Sequence, residues 1–181
     1  MKTAIMLIGV VASILVLGFL SVLLIGSRLP QEHVASRSIK LSRSPKEVYA
    51  LVRDFSGYPR WRSDVQSVDL LGSPGGHIQF RENGSSGGVT YEVVEEVPDQ
   101  RLVTRIVDRD LGYSGSWTYL LTPSESGTLL TITERGEVSN LVFRFMSRYF
   151  FGHTQTIDSY LIALARHFAD SSQPQDAPDS R

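Results

Sequence analysis

Apolar residues follow three spacings along the chain, and each predicts a different kind of element. Residues 4–25 run for 22 positions without a charge. At about 1.5 Å rise per residue this helix would be about 33 Å long, enough to cross the hydrocarbon core of a bilayer. From Val34 the period drops to two. Ala35, Ile39 and Leu41 alternate against Val34, Ser36, Ser38 and Lys40, which predicts a first strand over 34–42. Six further strands are expected at 65–71, 78–82, 89–97, 102–108, 114–122 and 128–138. Gly-, Pro- and Asn-rich breaks separate them, and connections this short argue for antiparallel pairing. From Asn140 the period lengthens again. Val142, Phe145, Met146, Tyr149, Phe150, His153, Ile157, Tyr160, Leu161, Leu164 and Phe168 recur at steps of three and four, the mark of one long amphipathic helix capped by Asn140.

Between the first two strands, Ser44-Pro45-Lys46-Glu47 is a capping box with proline at the first helical position, so a short helix should open there and end near Asp54. Phe55 to Trp61 reads as a turn or second short helix carrying three aromatics. The order is therefore strand, one or two short helices, six strands and one long helix: an α+β domain whose sheet needs a cover on its apolar face. The division that follows is 1–26 transmembrane anchor, 27–33 linker, 34–168 folded domain and 169–181 disordered tail, the last being polar and proline-containing.

A cleaved signal peptide is the rival reading of the first segment. Its apolar part should be about 7–15 residues and precede small residues at a cleavage site. Here the run is longer and leaves through Gly26-Ser27-Arg28-Leu29-Pro30, which favours an uncleaved single-pass anchor. The side of the membrane stays open. Arg28, Arg37, Lys40 and Arg43 after the helix favour a cytoplasmic domain, whereas a very short tail bearing Lys2 favours an external one, the side we lean toward.

Composition removes several chemistries. There is no cysteine, hence no disulfide, thiolate metal site or cysteine nucleophile. Eighteen basic against 19 acidic residues leave a net charge of −1, which speaks against a broad grip on nucleic acid. His33, His77, His153 and His167 show no ligand spacing, so no metal and no cofactor is expected. Gly84 to Gly88 fits G-x-S-x-G, yet a strand pattern follows where a nucleophile elbow needs a helix, so a hairpin loop is expected.

The chain resembles the START-like helix-grip superfamily, and within it the polyketide cyclase/dehydrase and lipid-transport group. The resemblance is carried by Ser44 to Tyr49, by Asp54-Phe55 with Tyr58-Pro59-Arg60-Trp61, and by Gly115 to Pro123 with Gly127-Thr128, and it covers about residues 36–168. It implies a seven-stranded antiparallel sheet curved around the C-terminal helix, with a tunnel for sterols, lipids, quinones or polyketides. It implies no single activity, because the fold hosts carriers, sensors and some enzymes. No motif assigns a catalytic residue.

Candidate ligand contacts come from strand faces. Trp117 and Tyr119 share a face with Gly115 and Leu121, Tyr91 lies with Val89 and Val93, and Glu134 lies with Leu130 and Ile132. His153 falls on the apolar stripe of the last helix. Tyr91, Trp117, Tyr119, Glu134 and His153 are the expected ligand-binding set, within a mostly apolar cavity. Core packing is the alternative for the aromatics. Glu134 either pairs internally with Arg105 or meets solvent at the strand ends. Arg144 and Arg148, one turn apart, either face solvent or rest on lipid headgroups. The expected function is a membrane-tethered binding or transfer module for a hydrophobic small molecule. The alternatives are a cyclase/dehydrase-type enzyme using cavity residues such as His153 and Glu134, and a ligand-free interaction or stress factor.

Overall fold

Turn chemistry sets the topology. In the computed structural model, which describes residues 2–85, 87–152 and 154–178, each break between the six consecutive strands becomes a short connection between antiparallel neighbours. The strands are β1 (Glu32–Leu41), β2 (Ser67–Gly72), β3 (Gln79–Gly84), β4 (Gly87–Val97), β5 (Arg101–Ile106), β6 (Tyr113–Ser124), β7 (Gly127–Val138) and β8 (Gln175–Asp176). Among the described residues they form one open sheet in the order β2-β3-β4-β5-β6-β7-β1-β8. The chain's first strand thus lies beside its last long one, with Ala35 opposite Glu134 and Ile39 opposite Leu130. Gly84 pairs with Gly87, so the G-x-S-x-G stretch is a hairpin turn; Ser86 itself lies outside the described residues.

The capping box forms as its residues require. The Ser44 side chain accepts from the Glu47 amide, and Glu47 Oε2 accepts from the Ser44 amide at 2.9 Å, opening helix α2 (Pro45–Arg53). A 3₁₀ turn follows over Phe55–Arg60, capped by Asp54, whose Oδ1 accepts from the Gly57 amide at 3.1 Å. This turn drives Tyr58 into the core, where its hydroxyl donates to the Val52 carbonyl at 2.7 Å.

The concave face of the sheet is covered by the C-terminal helix α4 (Gln155–His167), through Ile157, Tyr160, Leu161 and Leu164, all buried. Each aliphatic side chain so removed from water contributes about 1.5–3 kcal/mol before entropy costs. Against them lie Ile39, Leu41, Leu102, Leu130 and Ile132, each inaccessible or nearly so. An aromatic cluster of Phe55, Tyr58, Phe80, Tyr119 and Tyr160 continues this core toward α2.

Three expectations change. The single long helix is broken. Helix α3 (Leu141–Met146) passes into a π turn (Ser147–Phe151) and ends at Gly152, whose φ of 70° and ψ of 174° fit glycine alone. Tyr149 and Phe150 therefore do not pack on the sheet but stand exposed. Arg144 is not a solvated side chain: it is buried and bonded to backbone carbonyls. Finally, β8 lies in the tail where composition suggested disorder. It pairs with Arg37 and Ser38, and Arg37 donates to Asp176.

Residues Lys2–Arg28 form helix α1, of which Met6–Arg28 is long and apolar enough to cross a membrane.

Candidate ligand-binding site

The break at Gly152 leaves part of the sheet without a helix pressed against it. A cavity of about 440 Å³ fills that place, within the usual range of about 300–1,000 Å³ for small-molecule sites. Its floor is the inward face of β4, β5, β6 and β7, with Tyr91, Ile106, Trp117 and Glu134. Its roof is Phe143 and Ser147 from α3 and the following turn, then Gly152, Gln155 and Thr156. Pairing of β5 with β6 stops at Arg105 and Ser116, so Ile106 and Ser114 border both this cavity and a depression of about 450 Å³ on the outer side.

Period two carries Trp117 and Glu134 to the same face, and the β6–β7 register sets them opposite each other. The Trp117 Nε1 donates to Glu134 Oε2 at 3.0 Å. The other carboxylate oxygen, Oε1, lies 3.2 Å from Nε2 of His33, on β1. A Cβ on Gly136 would come within 2.3 Å of the His33 ring, so the glycine makes room for the imidazole. Side-chain exposure of 16% for His33 and 22% for Glu134 places the pair between core and solvent.

The tyrosine hydroxyls stay protonated. Burial raises the Tyr91 phenol well above its ordinary range, and the nearby Glu82 charge adds to the effect. Burial likewise pushes up Tyr119 and Tyr160. Below the cavity, Arg62 donates to Glu82 at 3.0 Å, with side-chain exposures of only 11% and 13%. The guanidinium lies over the rings of Tyr58 and Tyr160, at 4.9 and 5.2 Å from their centroids.

Of the five expected contacts, Tyr91, Trp117 and Glu134 line the cavity. Tyr119 does not: it is a core residue packed on Tyr160 and Trp117. His153 lies outside the described residues. Arg105 does not pair with Glu134, because it faces outward and donates to Glu92 at 3.0 Å. The lining is also less apolar than expected, since Thr104, Ser116 and Gln155 join the His33–Glu134 pair. His33 also lines the cavity, outside the expected set. It lies two residues before Ala35 and so shares the inward face of β1, a signal present in the alternation. Among the described residues, no group of three or more His, Asp and Glu side chains is placed to hold a metal ion.

Residues 32–158 match the family described as polyketide cyclase / dehydrase and lipid transport, and the chain belongs to that family. Its fold is shared with a START superfamily protein from Mycobacterium smegmatis, at 18% identity and a TM-score of 0.60 over 75% of this chain and 96% of that one. It is shared with the Zhui aromatase/cyclase from Streptomyces sp. R1128, at 11% identity and a TM-score of 0.58, covering 75% and 93% of the two chains. A Thermus thermophilus protein is similar at 21% identity and a TM-score of 0.58, covering 76% and 97%. No protein in the curated comparison matches the sequence.

Proposed function

We propose that the chain is a membrane-tethered module that binds or transfers a hydrophobic small molecule, of lipid, quinone or polyketide-like chemistry. Residues 1–26 act as the anchor and 34–168 as the binding domain. The observation that carries this reading is the cavity between the sheet and the broken helix, with aromatic surface on its floor and one polar cluster on its wall. Rings and chains of a ligand gain about 25 cal/mol for each Å² of apolar surface withdrawn from water, less the cost of immobilisation. Trp117, Glu134 and His33 supply a fixed hydrogen-bonding point that orients a hydroxyl or carbonyl on the ligand. A membrane anchor suits such a cargo, which is already dissolved in the adjacent bilayer.

The test is titration of the full chain in lipid nanodiscs with quinones and polycyclic phenols, read by tryptophan emission. Binding should quench Trp117, and Trp117→Phe should remove most of the response. Trp61, the only other tryptophan, packs on Tyr58 and Tyr160 away from the cavity lining and serves as the control. No saturable response to any class would sink the carrier reading.

One observation favours a second reading. A His–carboxylate pair 3.2 Å apart on a cavity wall is the arrangement used for acid–base catalysis. One similar fold is an aromatase/cyclase. Glu134→Gln separates the two: a carrier keeps its affinity within a few-fold, whereas an acid–base enzyme loses on the order of 10²–10⁴ in turnover.

A further inference from the structure

The anchor helix and the cavity roof meet at one buried arginine. Arg144, 6% exposed, donates through Nε to the Val138 carbonyl at 2.9 Å and through Nη2 to the Ser139 carbonyl at 3.1 Å. Its Nη1 donates to the carbonyls of Gly26 and Leu29, at 3.3 and 3.2 Å. Carbonyls at a helix C-terminus have no partner within the helix, and a cation there also meets the negative end of its dipole. Arg144 thus caps α1 and ties it to the domain. The contact is close: a Cβ on Gly26 would lie 2.2 Å from the Leu141 carbonyl oxygen.

This clasp fixes where α3 stands relative to a bilayer. Upstream of Val22 the described side chains of α1 are exposed, while Val22 and Leu23 are half-buried and Gly26 is buried. The domain therefore covers the last turn of the apolar run itself, and α3 is the element packed on it. A segment touching that turn stands at the level where hydrocarbon gives way to headgroups. There α3 and the turn after it turn Phe143, Tyr149 and Phe150 outward, at 52%, 58% and 67% exposure, beside exposed Arg148. Aromatic rings with a basic side chain are the composition that the bilayer interface favours. Phe143 and Ser147 of the same segment also line the cavity.

We infer that residues 141–151 lie in the interfacial layer of the bilayer that holds α1, so that the cavity opens toward lipid and not toward bulk water. This rests on the reading of α1 as a membrane anchor. The ligand then passes between bilayer and cavity beneath Phe143, without crossing the aqueous phase.

The chain has no cysteine, so single labels are easily placed. Leu15→Cys, Phe150→Cys and Glu125→Cys are made in the full chain, all at exposed positions. Each carries a nitroxide, in phosphatidylcholine–phosphatidylglycerol vesicles, and its collisions with oxygen and with a water-soluble nickel chelate are compared. Glu125 lies beyond the far end of β7, about 35 Å from α3 at ~3.3 Å per residue. The oxygen-to-nickel ratio should be highest at position 15, several-fold above the Glu125 value at position 150, and lowest at position 125. A ratio at 150 equal to that at 125, with 15 still deep, overturns the inference and leaves the anchor standing. An aqueous value at 15 overturns both. Arg144→Met, introduced into both the Phe150→Cys and the Leu15→Cys chains, should bring the ratio at position 150 down toward the aqueous value while position 15 stays deep. An unchanged ratio in a folded variant shows that Arg144 is not what holds the segment, and overturns the clasp. Should that variant fail to fold, the three labels in the unaltered chain still decide.

Discussion

The Trp117 indole donates across the β6–β7 pair to Glu134, 3.0 Å away, which makes this carboxylate a structural acceptor as well as a cavity group. Hydrogen bonds to charged groups contribute about 1.5–3 kcal/mol, reduced here because Glu134 keeps some contact with water. Glu134→Leu should therefore cost about 1–2 kcal/mol, and Glu134→Gln, which keeps an acceptor, under about 1 kcal/mol. Denaturant unfolding of the detergent-solubilised chain measures both. Equal costs would mean that the bond adds nothing to stability.

The inward face of α4 makes a sharper contrast. Leu161 is inaccessible to solvent, whereas Arg166 is exposed on the same helix. Leu161→Asp places an unpaired carboxylate among Ile39, Leu130 and their neighbours, and should cost on the order of 4 kcal/mol or prevent folding. Arg166→Ala should stay within about 0.5 kcal/mol. Thermal melts followed by circular dichroism separate the two.

Arg62 and Glu82 form a buried pair beneath the aromatic cluster. Burial raises the Glu82 carboxyl, and the Arg62 charge draws it back part of the way. Removing Arg62 strands Glu82, so Arg62→Met should cost about 3 kcal/mol, whereas Glu82→Leu leaves Arg62 paired with Asp64 at 2.6 Å and should cost less. Replacing both residues by Met and Leu should cost less than the Arg62 change alone. A double-mutant cycle that shows simple additivity would refute this coupling.

Strong acid should release the tail from the end of β1. Hydrogen bonds from Ser172 and the Ser42 amide hold the Asp170 carboxyl down at about 2, below its ordinary 3.8. A depressed carboxyl contributes stability that is complete above its unfolded value and is lost as pH falls through its folded one. Protection of the Ser42 and Ser172 amides, corrected for intrinsic exchange, should thus persist at pH 5 and disappear between about pH 4 and pH 2. In Asp170→Ala it should be absent at both ends of that range.

Much of the fold can be read from period and punctuation. All seven long strands form within a few residues of their expected places, because alternation and Gly-rich turns act locally. The inward facing of Tyr91, Trp117 and Glu134 follows from the same alternation. Their neighbours do not. That Glu134 meets His33, while Arg105 turns to Glu92, depends on the register of β1 against β7 and of β4 against β5, which a two-residue slip would change without altering any hydrophobic face. The helix break is hidden for a different reason. The apolar period runs on through Gly152, and a lone glycine in a helix pattern is a weak signal. Arg144 is hidden because its four acceptors are carbonyls, which no side-chain pattern announces.

The two halves of the cavity roof are fastened to different things. Helix α4 is held to the sheet by its buried face and by Arg37, which donates to Asp158 at 2.7 Å, while α3 is held to α1 by Arg144. Gly152 sits between them with no atom near its missing Cβ. In a membrane-anchored chain a tilt of α1 would pass through Arg144 to α3, and the open surroundings of Gly152 would let rotation there leave α4 in place. On the proposed membrane-tethered reading, the thickness and curvature of the bilayer would then act on the height of the roof over Trp117.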